Sequence, residues 1–187
     1  IKKFIRIFYF FARTADDIAD NPILRPSQKL QILNFFDHII QSKRKTDIVA
    51  ISDLISTFKK LKFAKKYSRN LLKAFKLDAK KKRYKNWSEL IFYCKYSANP
   101  VGRFFIDLSY QKNKKNIYNK EKILKSSDNL CTSLQIINHL QDCKKDFQNL
   151  NRVYLPISLF NKYSVDIKNL NINKSSKKFE KLKNEIV

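Results

Sequence analysis

The sequence predicts an all-α fold, a single helical domain, on three observations. The 187-residue chain holds one Gly and four Pro, too few for the many reversals that β sandwiches and barrels need. In its long segments apolar residues recur three and four apart, the period of a helix with one buried face. Asn-Pro pairs, a lone proline and capping residues punctuate those segments, as helix stops and starts do. With 43% apolar and 13% aromatic residues, one core can hide roughly 70% of the unfolded surface.

Residues 1–20 form the first predicted helix, with Phe4, Ile5, Phe8, Phe11, Ala12, Ala15 and Ile18 on its apolar side and Asn21-Pro22 as its stop. Pro26, at a favoured first-turn position, opens a second that runs to about Lys43 with Leu30, Leu33, Phe36, Ile39 and Ile40 inward. Thr46 is expected to cap a third stretch, residues 47–61. The fourth, residues 67–80, carries Leu71, Leu72, Phe75 and Ala79 and stops at a break over 81–85. Asn86 with Glu89 is a capping-box-like start for 87–98. Asn99-Pro100 then bends the chain before a helix over 101–110. Residues 111–119 read as a polar linker. Ser127 or Asp128 should cap the strongest helix, which reaches about Phe147 with Leu130, Leu134, Ile137 and Leu140 on its apolar side. From Asn149 to Pro156 the chain leaves the helix, and the Lys- and Asn-rich remainder turns helical again only near Ser175.

The same counts exclude several function classes. Gly102, the one glycine, cannot supply a G-x-G-x-x-G or G-x-x-x-x-G-K loop, so no nucleotide cofactor is indicated. Cys94, Cys131 and Cys143 are odd in number and make no C-x-x-C pair, which argues against a disulfide framework or zinc site and for a reducing cytoplasm. No signal-peptide pattern opens the chain, and no apolar run approaches the roughly 18 residues that span a bilayer. A soluble protein is expected, at most peripheral at the inner face of a membrane. The absence of Met suggests a fragment. The formal charge of +24 sets 40 Lys+Arg against 16 Asp+Glu. Lys, Asn, Ile, Phe and Tyr are abundant together while Arg, Ala and Gly are scarce, so A+T-rich codons account for the charge ahead of a membrane surface or nucleic acid. Residues 59–85, the densest basic run, hold 13 Lys+Arg and one acid, Asp78; such a run reads as a solvated helix face.

Against this basic background the 12 Asp carry information, because five of them fall in two short motifs. One is Asp16-Asp17-Ile18-Ala19-Asp20, the other Asn138-His139-Leu140-Gln141-Asp142-Cys143-Lys144-Lys145-Asp146. At about 100° per residue, Tyr9, Arg13, Asp16 and Asp20 fall within about 60° of one another, and Gln135, Asn138, Asp142 and Asp146 within about 80°. Facing water, like charges four apart would destabilise each helix. Facing each other across a cavity, they form a set of hard oxygen ligands suited to Mg²⁺, with Mn²⁺ as its substitute, which binds one or two carboxylates plus phosphate oxygens. Such a set promotes departure of a diphosphate by neutralising charge as the C–O bond breaks, and the apolar remainder of the cavity would shelter a carbocation.

The stretches YFFARTADDIAD (9–20), YCKYSANPVGR (93–103), LQIINHLQDCKKD (134–146) and RVYLP (152–156) resemble, in order, the squalene/phytoene synthase family of head-to-head prenyl synthases. The second and third are most similar to the bacterial hydroxysqualene synthases of hopanoid and squalene biosynthesis. The resemblance implies a terpenoid synthase fold around a central cavity, with residues 1–187 a partial domain lacking the family's N- and C-terminal parts. It implies that Asp16, Asp20, Asn138, Asp142 and Asp146 hold Mg²⁺ and diphosphate, that Arg13 neutralises diphosphate oxygens, that Tyr9 and Tyr93 line the cavity near the reacting carbons, and that Gln135 contacts the diphosphate–metal region. The implied reaction converts presqualene diphosphate to hydroxysqualene by ionisation, rearrangement and water capture. Presqualene diphosphate, squalene or phytoene synthases, which condense two prenyl diphosphates such as farnesyl diphosphate, would use the same residues. One departure is Lys145, where many relatives carry an acid.

The remaining residues read as structural. His139 is expected to be a packing histidine, Gly102 to allow a close helix approach, and Arg152 and Tyr154 either to close the site or to serve in an ion pair and packing. A basic helical module for membranes or nucleic acid is the reading of another class, though no nucleic-acid partner is expected.

Overall fold

The amphipathic stripes set the architecture of the chain, seen in a computed structural model that describes residues 1–113, 119–171 and 176–186. Ten helices run α1 (Lys2–Asp20), α2 (Pro26–Ser42), α3 (Val49–Thr57), α4 (Lys62–Asp78), α5 (Trp87–Ser97), α6 (Asn99–Asn113), α7 (Lys120–Gln141), α8 (Cys143–Leu150), α9 (Ile157–Lys162) and α10 (Lys177–Ile186), with a 3₁₀ turn at Ile167–Asn171. Among the described residues the only β pairing outside the helices is a single parallel bridge between Arg83 and Val153. Among the described residues no helix is long and apolar enough to cross a membrane.

The central helix is α4, which packs against α1, α2, α5 and α6. Phe8, Phe11 and Ala15 of α1, Leu33, Phe36 and Ile40 of α2, and Leu71, Leu72 and Phe75 of α4 form one buried cluster. Phe104 of α6 closes it, its ring stacked on Phe8 at 4.0 Å between centroids. The expected stop after α1 and the expected start of α5 are in place. Asn21 Oδ1 accepts from the backbone N–H groups of Ile23 and Leu24 and turns the chain out of α1. Asn86 Oδ1 accepts from Glu89 N–H at 3.1 Å, satisfying an orphan donor of the first turn of α5.

Elsewhere the boundaries differ. The third helix is short, Val49–Thr57, and Thr46 Oγ1 accepts from Ile48 N–H just ahead of it. The fourth begins at Lys62, five residues earlier than its apolar pattern indicated, because buried Leu61 and Ala64 alternate with outward lysines that mask the period. Residues 111–113 continue α6, and 114–118 of the expected linker lie outside the described residues. Neither Ser127 nor Asp128 caps a helix: α7 starts at Lys120 and carries both inside it, Asp128 being paired with Arg103 at 2.5 Å.

The packed face of α7 is also not the expected one. Leu130, Leu134 and Ile137 are 60%, 51% and 40% exposed, and Ser127, Cys131, Thr132 and Gln135 turn inward in their place. The reason is how closely α6 approaches: a Cβ at Gly102 would stand 2.5 Å from both Ser127 Oγ and Cys131 Sγ, so this interface admits only small side chains.

Beyond Pro156 the chain was expected to stay out of helix until about Ser175, which lies outside the described residues. Instead α9 and the 3₁₀ turn intervene, and Val153, Leu155, Phe160, Leu170 and Leu182 build a second small core. Helices of five or six residues are too short to display a period. The break at 81–85 proves to be an extended segment that grips 153–158: Val153 N–H donates to Lys82 O, Ile157 N–H to Tyr84 O and Ser158 N–H to Lys85 O, all within 3.1 Å. That grip lodges Arg152 and Tyr154 against the C-terminal end of α4.

Candidate active site

On α1 the stripe is formed as the spacing requires. Arg13 reaches both Asp16 (3.2 Å) and Asp17 (2.8 Å). Burial pushes the half-buried Asp16 carboxyl up to about 6, Asp20 adds to that, and Arg13 pulls the other way. Tyr9, two turns before Asp16, is 68% exposed.

On the opposite side, α7 ends at Gln141 and α8 starts at Cys143 with Asp142 between them, yet Asp146 N–H still donates to Asp142 O at 2.8 Å. The two carboxylates therefore remain one turn apart. Burial raises Asp146 to about 6, with Asp142 and then Asp20 of α1 adding repulsion and Arg152 opposing it. Arg152 joins the two motifs directly: its backbone N–H donates to Asp146 O at 3.1 Å and its Nη1 to Asp20 Oδ1 at 2.9 Å. Asn138 is exposed beside them. The Gln135 side-chain amide is hydrogen-bonded to His139 Nε2 at 3.1 Å.

Between the motifs lies a buried polar cluster that the sequence did not reveal as a unit. Arg152 is 2% exposed. Its Nη1 donates to Asp20 Oδ1 at 2.9 Å and to the Tyr154 hydroxyl at 2.8 Å, and its Nη2 to the Asp78 carbonyl at 2.9 Å. The buried Asp78 carboxylate accepts from Tyr154 (2.7 Å) and Tyr93 (2.8 Å). Desolvation pushes Asp78 up to about 7, against the pull of Arg152 and the two phenols. Tyr93, expected on the cavity wall, is thus buried with its hydroxyl committed to Asp78. His139 stacks on Tyr154 at 3.7 Å, and burial, then Arg152, lowers it to about 3, so it is neutral and packed as expected. Arg152 serves in the ion pair and packing, the second of its two expected roles. Lys29 Nζ donates to Ala19 O and Lys82 Nζ to Leu150 O; burial lowers both, and Arg152 adds to it. The signal for this cluster was Asp78 itself, the lone acid in the basic run.

Among the described residues no three His, Cys, Asp or Glu side chains converge tightly enough to enclose a metal ion unaided. The donors nevertheless fit Mg²⁺ in kind. They are hard oxygens, they repel one another, and Asp142 and Asp146 have no side-chain partner among the described residues. Mg²⁺ takes one or two carboxylates and completes its shell with water and phosphate.

Comparison with known proteins places the chain among its relatives. The chain is 41% identical over 172 residues to a hydroxysqualene synthase of Sinorhizobium fredii, covering 92% of this chain and 56% of the relative. A hydroxysqualene synthase of Rhodopseudomonas palustris is 39% identical over the same shares. The chain thus spans about half the length of these curated relatives. Among solved structures, a squalene synthase of Alicyclobacillus acidocaldarius superposes with a TM-score of 0.76 at 24% identity, over 97% of this chain and 67% of that one. A dehydrosqualene synthase in complex with ligand superposes at 0.80 and 20% identity, over all of this chain and 63% of that one. The fold is therefore the all-α terpenoid synthase type. Residues 5–187 match the squalene/phytoene synthase profile, and the chain, with both acidic helices and the RVYLP arginine in place, belongs to that family.

Proposed function

We propose that the chain carries the metal-binding half of a hydroxysqualene-synthase-type enzyme, which ionises presqualene diphosphate, rearranges the cation and captures it with water to give hydroxysqualene and diphosphate. The observation that carries this reading is that Arg152 joins the two acidic motifs, its guanidinium 2.9 Å from Asp20 and its backbone N–H donating to Asp146 O at 3.1 Å; the 41% identity to a hydroxysqualene synthase supports it.

Asp16 and Asp20 on α1 and Asn138, Asp142 and Asp146 on α7–α8 would hold Mg²⁺ or Mn²⁺. When bound there, the ion supplies neutralisation of the diphosphate as its C–O bond breaks. Arg13, exposed and held by Asp16 and Asp17, would be free to exchange Asp16 for phosphate oxygens where Asp16 holds the metal. Arg152 fixes Asp20 from behind. The exposed stripe Leu130, Leu134 and Ile137 lies beside Asn138 and offers the hydrocarbon an apolar wall, and Tyr9 on α1 presents an aromatic face to positive charge. Gln135 stays bonded to His139 and orients that ring. The setting we propose is cytoplasmic, with peripheral contact at the inner face of the membrane.

A condensing squalene or phytoene synthase would use the same groups, since the family profile spans both. Incubating the full-length protein and Mg²⁺ with presqualene or farnesyl diphosphate, then identifying the neutral lipid, separates the two. Asp142→Asn is expected to lower turnover by several decades with the fold retained; near-normal turnover would sink the metal role.

A further inference from the structure

The α4–α5 edge is not used by the site. Tyr93 and Cys94 turn inward from α5, while the adjacent Ile91 and Phe92 stand about half exposed on its back. Phe92 meets Tyr96 edge to face at 5.1 Å. Lys73 of α4 and Lys95 of α5 converge on the Tyr96 ring, their Nζ atoms 5.0 Å and 6.0 Å from its centroid. Phe92 and Tyr96 line one crevice with Lys73, Lys76 and Leu77 of α4 and Lys80 in the turn after it, and no acid lines it. Lys76 is paired with Asp37, whereas Lys73, Lys80 and Lys95 have no carboxylate partner among the described residues. A solvated helix face explains the lysines but not two large apolar side chains left in water among them.

We propose that this edge docks on an anionic lipid surface, with Ile91 and Phe92 entering the headgroup–acyl boundary and Lys73, Lys80 and Lys95 meeting lipid phosphates. Apolar side chains flanked by long cations combine the two terms that hold a peripheral helix to a bilayer, buried apolar area and attraction to anionic lipid. Lysines also suit a diffuse negative surface, their charged heads reaching outward while the stems stay apolar. Nucleic acid is the poorer fit, because an aliphatic Ile91 offers no stacking platform for a base. The inference gives the proposed peripheral contact a location and does not depend on the reaction.

Sedimentation of the full-length protein with vesicles tests it, and turnover measured in the same preparation, without vesicles, keeps this inference separate from the catalytic reading. Vesicles of phosphatidylglycerol and phosphatidylethanolamine should bind the protein, and phosphatidylcholine vesicles should not. Ile91→Ser with Phe92→Ser should weaken binding about tenfold or more. Lys73→Glu with Lys95→Glu should abolish it, while the equal charge change Lys177→Glu with Lys178→Glu on α10 leaves it within about threefold. Equal loss from both lysine pairs would reduce the effect to net charge and overturn the proposal. Retained binding in the Ile91/Phe92 double variant would overturn it too, as would release from the vesicles by duplex DNA at physiological salt.

Discussion

The two acid-bearing regions have the same spacing but opposite electrostatic settings. On α1, Asp16 and Asp17 share Arg13, and Asp20 is held by Arg152. On α7–α8, Asp142 and Asp146 make no side-chain hydrogen bond or ion pair among the described residues, and Arg152 and Lys145 act on Asp146 only at longer range. One motif is tied down by the protein's own cations; the other is left with its charge unspent. A site that must take up metal and diphosphate benefits from both, since the paired side fixes the geometry and the unpaired side retains the attraction.

Removing the tie should produce the largest effect. Arg152→Leu leaves the buried Asp78 in a low-dielectric interior without its cation and takes the partner from the partly exposed Asp20, and breaking a buried pair from one side costs about 3–5 kcal/mol. Arg13→Leu removes an exposed partner only and should cost less than about 1 kcal/mol. Urea midpoints of the two variants check the contrast. Similar midpoints would mean that Arg152 is no more than another surface cation.

At the next level the acids themselves can be compared. Asp20→Asn removes the charge that meets the Arg152 guanidinium at 2.9 Å and should destabilise by about 1.5–3 kcal/mol, the range for hydrogen bonds to charged groups. Asp146→Asn loses no partner and relieves repulsion, so its stability should stay within about 0.5 kcal/mol of the parent. Both should reduce the thermal shift that Mg²⁺ plus inorganic diphosphate produces. Loss of the Mg²⁺ response in one alone would restrict the metal to one helix.

How much of this was legible depends on where the information sits. The first two helices, the Asn86 cap and both acidic stripes follow from local spacing, because a period of 3.6 and a capping side chain are properties of neighbouring residues. The outward face of α7 could not be read that way. Leu130, Leu134 and Ile137 look like core by pattern, and what turns them out is the closeness of α6, set by Gly102 some 25 residues earlier in sequence. The cluster of Asp78, Tyr93, Arg152 and Tyr154 was illegible for the same reason, since its members come from three separate segments and meet only when 81–85 grips 153–158. The resemblance had marked Arg152 and Tyr154 as a motif without revealing their partner.

The smallest expected effect is a pH dependence. Asp16 and Asp146 titrate at about 6 and Asp78 at about 7 in the folded chain, each raised from an ordinary value of 3.8, chiefly by burial. Between pH 3.8 and these values the native state holds protons that the unfolded state has released, so folding stability falls as pH rises through that window. No single group can contribute more than about 1.4 kcal/mol per pH unit, and solvent screening reduces this further for the half-exposed Asp16 and Asp146. The informative quantity is the difference between parent and variant, which cancels the rest of the +24 charge. Asp146→Asn should flatten the slope up to about pH 6, and Asp78→Asn should flatten it up to about pH 7. Saturating Mg²⁺ with diphosphate should restore stability above pH 6 in the parent and less so in Asp146→Asn, because it is the deprotonated carboxylate that binds the cation. An Mg²⁺ effect that is the same at pH 5 and pH 7.5 would separate the raised acids from the metal and leave their repulsion unexplained by function.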